Sequence, residues 1–193
     1  MLPFRMSDFT ATDAYLGVGS NQGSRFDHIA QAVMQLDAHP DIAVVQVSSA
    51  YKTEAHRRAG QREVPWFLNG VLHLRTTLSP QSLLTQTQAQ EYAAGRRPAA
   101  RWAPRPLDLD VLTVGSQQHT TARLTVPHPR LDQRRFVLQP WAELAPNLWV
   151  PDPFDATVCE LLKACTDTHA LQCLSRPLVR FPFSSTHVPP TAP

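Results

Sequence analysis

Between residues 14 and 114 the chain switches repeatedly between strand and helix periodicity, and the order of those switches limits the folds open to it. Residues 14–18 are short and apolar and run into Gly19-Ser20-Asn21-Gln22-Gly23, a strand ending in a tight structural turn. Ser24 can cap the helix that follows, where Phe26, Ile29, Ala30, Val33 and Leu36 recur at helical spacing until Pro40 closes it. Residues 42–51 read as a second, Val-rich strand. Residues 67–76 read as a third, with Phe67, Asn69 and Val71 on one face. Ser79-Pro80 starts a second helix, carried through Leu83, Leu84, Thr87, Gln88 and Glu91 to a stop at Gly95. Residues 107–114 alternate and form a fourth strand. The order β-α-β-β-α-β predicts an α+β fold of the split βαβ, ferredoxin-like kind: an α/β/α sandwich on a mainly antiparallel sheet.

The rest of the chain adds to that unit. Gly115-Ser116 begins a turn, residues 123–126 return as a partner strand, and Pro127-His128-Pro129 breaks the chain. Residues 131–144 look helical, with Pro140 kinking or splitting the helix, and residues 155–164 form a short helix. We expect an N-terminal extension over 1–12, one domain over 13–174, and a Pro-rich, partly disordered tail over 175–193. The net charge of +2 does not by itself point to a nucleic-acid binder, although sixteen of the eighteen basic residues are Arg. Cys159, Cys165 and Cys173 are odd in number and lack metal-ligand spacing, which fits a reducing compartment. No apolar run approaches the roughly 20 residues of a membrane span. The expectation is a cytoplasmic monomer that binds neither membrane nor nucleic acid.

Chemistry is concentrated from Arg101 to Asp110, Arg-Trp-Ala-Pro-Arg-Pro-Leu-Asp-Leu-Asp. On a strand, residues two apart share a face and lie about 6.5–7 Å apart. Asp108 and Asp110 therefore point together, away from Leu107, Leu109 and Val111. Such a pair can hold hard cations, and two ions about 3.5–4 Å apart would fit. Arg101 and Arg105 supply forked donors suited to phosphate oxygens. The plainer reading is the polar face of an edge strand, salt-bridged to its arginines. The polar stretch 52–65 carries Glu54, His56, Arg57, Arg58 and Arg62 without apolar periodicity, so it reads as a long loop.

Separated motifs occur together in order: Leu16-Gly-Val-Gly-Ser-Asn-Gln-Gly23, Ser48-Ser-Ala-Tyr-Lys-Thr53, Phe67-Leu-Asn69, Thr87-Gln88 with Glu91, Gly95-Arg96, Arg101 to Asp110, and Arg123-Leu-Thr-Val-Pro-His128 with Arg134 and Phe136. The set resembles the 6-hydroxymethyl-7,8-dihydropterin pyrophosphokinases of folate biosynthesis over residues 14–170. That resemblance implies an ATP-dependent diphosphotransferase that moves the β,γ-diphosphate of ATP to the pterin hydroxymethyl group and releases AMP. By position it implies that Asp108 and Asp110 are ligands of two Mg²⁺ ions. Phe67 and Phe136 become plates around the pterin, with Thr53 and Asn69 on its polar edge. Gln88, Glu91, Arg96, Arg101, Trp102, Arg105, Val111, Arg123, Thr125, His128 and Arg134 fall on the nucleotide side, with Arg96 and Arg105 beside the aspartates as catalytic residues. The two phenylalanines also suit ordinary core. Asp110 is the proton acceptor we expect.

The chain departs from the family pattern in three places. Glu54-Ala55-His56 opens a longer, more charged loop after Thr53. Pro98 stands where a second arginine recurs, with Arg97 beside it. Pro129 follows His128 in place of a frequent aromatic. Pro98 and the altered loop after Thr53 motivate one rival, a degenerate homologue that binds pterin or nucleotide with little turnover. A second rival is an Arg-rich RNA-binding module on the same fold. It would show steep salt dependence and no need for Mg²⁺.

Overall fold

The structure is a computed structural model that describes residues 10–54, 65–97 and 104–179. Arg101, Trp102, Pro98 and residues 55–64 of the polar loop lie outside the described residues. In chain order the elements are β1 (Thr12–Ser20), α1 (Arg25–Asp37), β2 (Ile42–Val47), β3 (Ser49–Thr53), β4 (Phe67–Thr76), α2 (Pro80–Ala93) and β5 (Asp108–Val114). They continue as β6 (His119–Thr120), β7 (Thr125–Val126), α3 (Arg135–Leu144), β8 (Trp149–Val150), β9 (Ala156–Thr157), α4 (Val158–Ala164) and β10 (Leu171–Pro177).

The main sheet runs β10-β3-β4-β1-β5, with β2 also paired to β4, and every pairing is antiparallel. On β1, alternation sends Ala14, Leu16 and Val18 to one face, where they meet Ile29, Val33 and Leu36 of α1 and Leu83 of α2. Tyr15 faces the other way and joins Leu138 and Trp141 of α3 and Leu161 of α4. Helices thus cover both faces, giving the α/β/α sandwich of an α+β fold. Trp141 is fully buried, and truncating such a side chain to Ala costs about 3–5 kcal/mol.

Local chemistry explains where the elements depart from the sequence expectation. The strand expected over 42–51 breaks at Ser48, whose Oγ accepts the Val71 N–H at 2.9 Å and takes a ladder position. The Ser24 side chain makes no cap bond, whereas Ser79 accepts the Ser82 N–H at the start of α2. α2 stops where Gly95 takes a φ of +94°, a conformation that suits glycine. α3 carries Pro140 inside a single helix and starts at Arg135, because residues 128–134 are spent in turns. α4 starts at Val158 because Thr157 and Glu160 form a capping box. β7 pairs with β6 and not with β5, and just beyond it the His128 N–H donates to the Leu112 carbonyl of β5.

Residues 175–179, expected in the tail, close the sheet and core instead. β10 pairs with β3 as far as Pro177, and Leu178 and Val179 are buried in the α1/α2 cluster. The fit is close: a Cβ on Gly70 would lie 2.5 Å from Leu178 Cδ2. A Pro-rich composition hid one apolar pair that the core takes in. No helix among the described residues is long and apolar enough to cross a membrane.

Candidate active site

The site is built across three neighbouring strands on the α3 face of the sheet. β1 lies between β4 and β5, and its Gly19 is opposite Asn69 on one side and Asp108 on the other. Gly17 is likewise flanked by Val71 and Asp110. Since Tyr15 faces α3, Gly17 and Gly19 do as well, and their missing side chains leave a floor between the Phe67–Asn69 strand and the aspartate strand. The space is tight at one end: a Cβ on Gly19 would lie 2.5 Å from Asn69 Oδ1 and 3.6 Å from Phe67 Cδ1.

On the β5 side, Asp108 and Asp110 share a face while Leu109 and Val111 enter the α1/α2 core. Val111, expected on the nucleotide side, therefore offers a ligand only its backbone. Arg96 Nη1 and Arg105 Nη1 both donate to Asp108 Oδ1, at 2.8 and 2.7 Å. Arg134 Nη1 donates to Asp110 Oδ2 at 2.6 Å, and its guanidinium sits 5.7 Å from the Phe136 ring centre. Glu91 accepts the Leu109 N–H at 2.8 Å and pairs with Arg96. Arg123 donates to Gln88 Oε1 at 3.0 Å, and Thr125 opens β7.

These contacts set the ionisation of the site. Burial drives the Asp110 carboxyl upward, but Arg134, His128 and Arg105 together outweigh it and hold the group below the usual range. Burial raises Glu91 from 4.5 to about 7 against the pull of the Leu109 N–H and Arg96, with Asp108 and Asp110 adding to the rise. Burial, then Arg134, lowers His128 from 6.5 to about 4, against the pull of Asp110.

On the β4 side, Asn69 Nδ2 donates to Thr53 Oγ1 at 2.6 Å, and both side chains are buried. That bond leaves Asn69 Oδ1 turned toward the Gly19 floor. Phe67 is half-buried at the start of β4, and Phe136 is partly buried against the α3 core cluster. The four residues expected at the pterin are thus on the same sheet face or its covering helix as the two aspartates.

A cavity of about 530 Å³ lies between the end of α2 and the residues leading into β5, walled by Gln88, Glu91, Arg96 and Arg105 together with Tyr92 and Arg97. Tyr92 carries no signal in the sequence beyond being an aromatic at a helix position, and it is exposed. From sequence, Asn21 reads as a turn residue. Asn21 accepts the Arg105 N–H on Oδ1 at 2.7 Å and donates Nδ2 to the Pro65 carbonyl at 3.4 Å, so it ties together the chain before Phe67 and the chain before Asp108.

Among the described residues no group of three or more His, Cys, Asp or Glu could hold a metal ion. Two carboxylates make a partial shell. Mg²⁺ commonly binds one or two carboxylates and completes its octahedron with phosphate oxygens and water. The donor set therefore suits a cation that arrives with a polyphosphate.

The family model for 7,8-dihydro-6-hydroxymethylpterin-pyrophosphokinase matches residues 15–146. A 2-amino-4-hydroxy-6-hydroxymethyldihydropteridine pyrophosphokinase of Bacillus subtilis (strain 168) is 41% identical over 131 residues, covering 68% of this chain and 77% of the relative. The enzyme of that description from Pseudomonas aeruginosa is 40% identical over 151 residues, covering 78% and 90%. A crystal structure of an HPPK-DHPS in complex with substrates superposes with a TM-score of 0.60 at 12% identity, which speaks for the fold alone. The match covers 80% of this chain but spans only 43% of that one. Matched by its family model across the strands that build the site, and by relatives at about 40% identity over most of their length, the chain belongs to the 7,8-dihydro-6-hydroxymethylpterin-pyrophosphokinase family.

Proposed function

We propose that this chain transfers the β,γ-diphosphate of ATP to the hydroxymethyl oxygen of 6-hydroxymethyl-7,8-dihydropterin, giving the pterin diphosphate and AMP for folate synthesis. One observation carries the reading. A glycine floor separates a polar–aromatic pocket at Thr53, Phe67 and Asn69 from a carboxylate–arginine cluster at Asp108 and Asp110, so two substrates can meet across it.

A flat heteroaromatic ring prefers aromatic faces, which Phe67 and Phe136 supply. Its donor–acceptor edge needs matching groups such as the Asn69 amide. In the transfer, the hydroxymethyl oxygen bonds to the β-phosphorus, the bond from that phosphorus to the α,β-bridging oxygen breaks, and the hydroxyl proton is lost. Such transfers require alignment and positive charge at oxygens that gain charge more than covalent help. Arg96, Arg105 and Arg134 supply that charge from rigid positions on the carboxylates. Asp108 and Asp110 would hold Mg²⁺, two ions in our reading, which neutralises phosphate charge when bound. Asp110 is a poor proton acceptor, since its pKa is held below the ordinary range. We assign it to cation binding and not to base catalysis. We take the enzyme to be a monomer. Free Cys159, Cys165 and Cys173 support a cytoplasmic setting.

The test is Asp110→Ala, with folding followed by circular dichroism and turnover by AMP release. We expect an unchanged fold and no AMP. Turnover retained in that variant would contradict the assignment.

A further inference from the structure

The arginines that reach this site differ in how their charge is used. Arg96 and Arg105 are held on Asp108, and Arg134 on Asp110. Arg97, on the cavity wall, has no carboxylate partner among the described residues. Its Nη1 donates to the Tyr92 and Arg96 carbonyls at 3.1 and 2.9 Å, and its guanidinium lies 4.5 Å from the centre of the Tyr92 ring. Tyr92 is 66% exposed and lines the same cavity. Stacking on an aromatic face fixes a guanidinium plane while leaving its edge free to donate, and at an exposed site that contact is weak enough to spare the charge for a ligand. The Nε and Nη2 donors of Arg97 have no partner among the described residues, so the fork that suits a phosphate is open.

We propose that Arg97, shelved on Tyr92, is a binding residue for the outer phosphates of the nucleotide. This rests on the pyrophosphokinase reading and names a contact within it. A surface arginine held only by solvent would show no matched ring, no paired carbonyls and no place on the cavity wall. Arg97 has all three. The target is phosphate and not the base, because the open donors belong to a full positive charge with no acidic partner among the described residues, whereas a neutral base would leave that charge uncompensated.

The experiment uses the full chain with Mg²⁺ and measures dissociation constants for three probes: an ATP analogue with a methylene between the α- and β-phosphates, AMP, and 6-hydroxymethyl-7,8-dihydropterin. For Arg97→Ala we expect about ten-fold weaker binding of the ATP analogue, with AMP and pterin within a factor of two of wild type. Arg97→Lys should recover part of the loss, and Tyr92→Leu should show a smaller loss confined to the ATP analogue. Unchanged binding of the analogue, or an equal loss for AMP, would overturn the proposal. AMP formation by the wild-type protein is followed in parallel. If wild type makes no AMP the parent reading fails, whereas turnover with an unaffected Arg97→Ala rejects this contact alone.

Discussion

Asn21 and Arg105 close a two-bond ring. The Asn21 N–H donates to the Arg105 carbonyl at 3.1 Å, and the Arg105 N–H donates to Asn21 Oδ1 at 2.7 Å. Asn21 is 2% exposed, so water cannot easily replace what its side chain supplies. The adjoining helix reinforces this anchor, for Arg25 Nη1 donates to the Trp66 carbonyl at 2.7 Å. Arg105 presents its guanidinium to Asp108 from a backbone fixed in this way.

Asn21→Ala removes an acceptor and leaves the Arg105 N–H without its protein partner. We expect a loss of about 1–2 kcal/mol in stability and a melting temperature lower by roughly 2–8 °C for a chain of this size. Urea denaturation checks this, and an unchanged midpoint would mean the two segments are held independently of Asn21.

Gly19→Ala tests the floor. Its Cβ would lie 2.5 Å from Asn69 Oδ1, so the amide must move and give up its bond to Thr53. We expect pterin affinity to fall at least ten-fold while ATP affinity changes less than three-fold, on the order of one lost hydrogen bond plus misalignment. Titration with each substrate separately decides it. Equal losses would mean the polar pocket serves both.

The pH dependence of stability has a definite sign at two positions. Glu91 rises from 4.5 to about 7, so the folded chain keeps a proton that the unfolded chain releases. Its contribution is fully present below 4.5 and lost as pH rises through 7. His128 falls from 6.5 to about 4, so its contribution is present above 6.5 and lost as pH falls through 4. The slopes oppose, each at most about 1.4 kcal/mol per pH unit. The stability of wild type minus Glu91→Gln should fall from pH 4.5 to 7, and that of wild type minus His128→Gln should rise from pH 4 to 6.5. Urea denaturation across this range reads both. Differences that stay flat would show that neither group is perturbed.

The order β-α-β-β-α-β was legible, except that the second strand is split into β2 and β3, because apolar period marks each element, as in the helix from Ser79-Pro80 and the alternating strand from Leu107. The aspartate pair was legible for the same reason, since i, i+2 spacing on a strand sets a face. What escaped depends on contacts distant in sequence. Ser48 breaks a strand because Val71, 23 residues on, bonds to its hydroxyl. Leu178 belongs to the core because Gly70 leaves it room. The roles of Gly19 and Asn21 cannot be read from a Gly-Ser-Asn-Gln-Gly turn, because each is defined by a partner 50 or more residues away. Val111 is on the face away from the aspartates, as the strand alternation predicts.

The most direct test of the account is to incubate the protein with ATP and 6-hydroxymethyl-7,8-dihydropterin, with and without Mg²⁺, and resolve the products by chromatography. We expect AMP and pterin diphosphate in equal amounts, formed only when Mg²⁺ is present. Pterin binding with no AMP, or product formation indifferent to Mg²⁺, would contradict it.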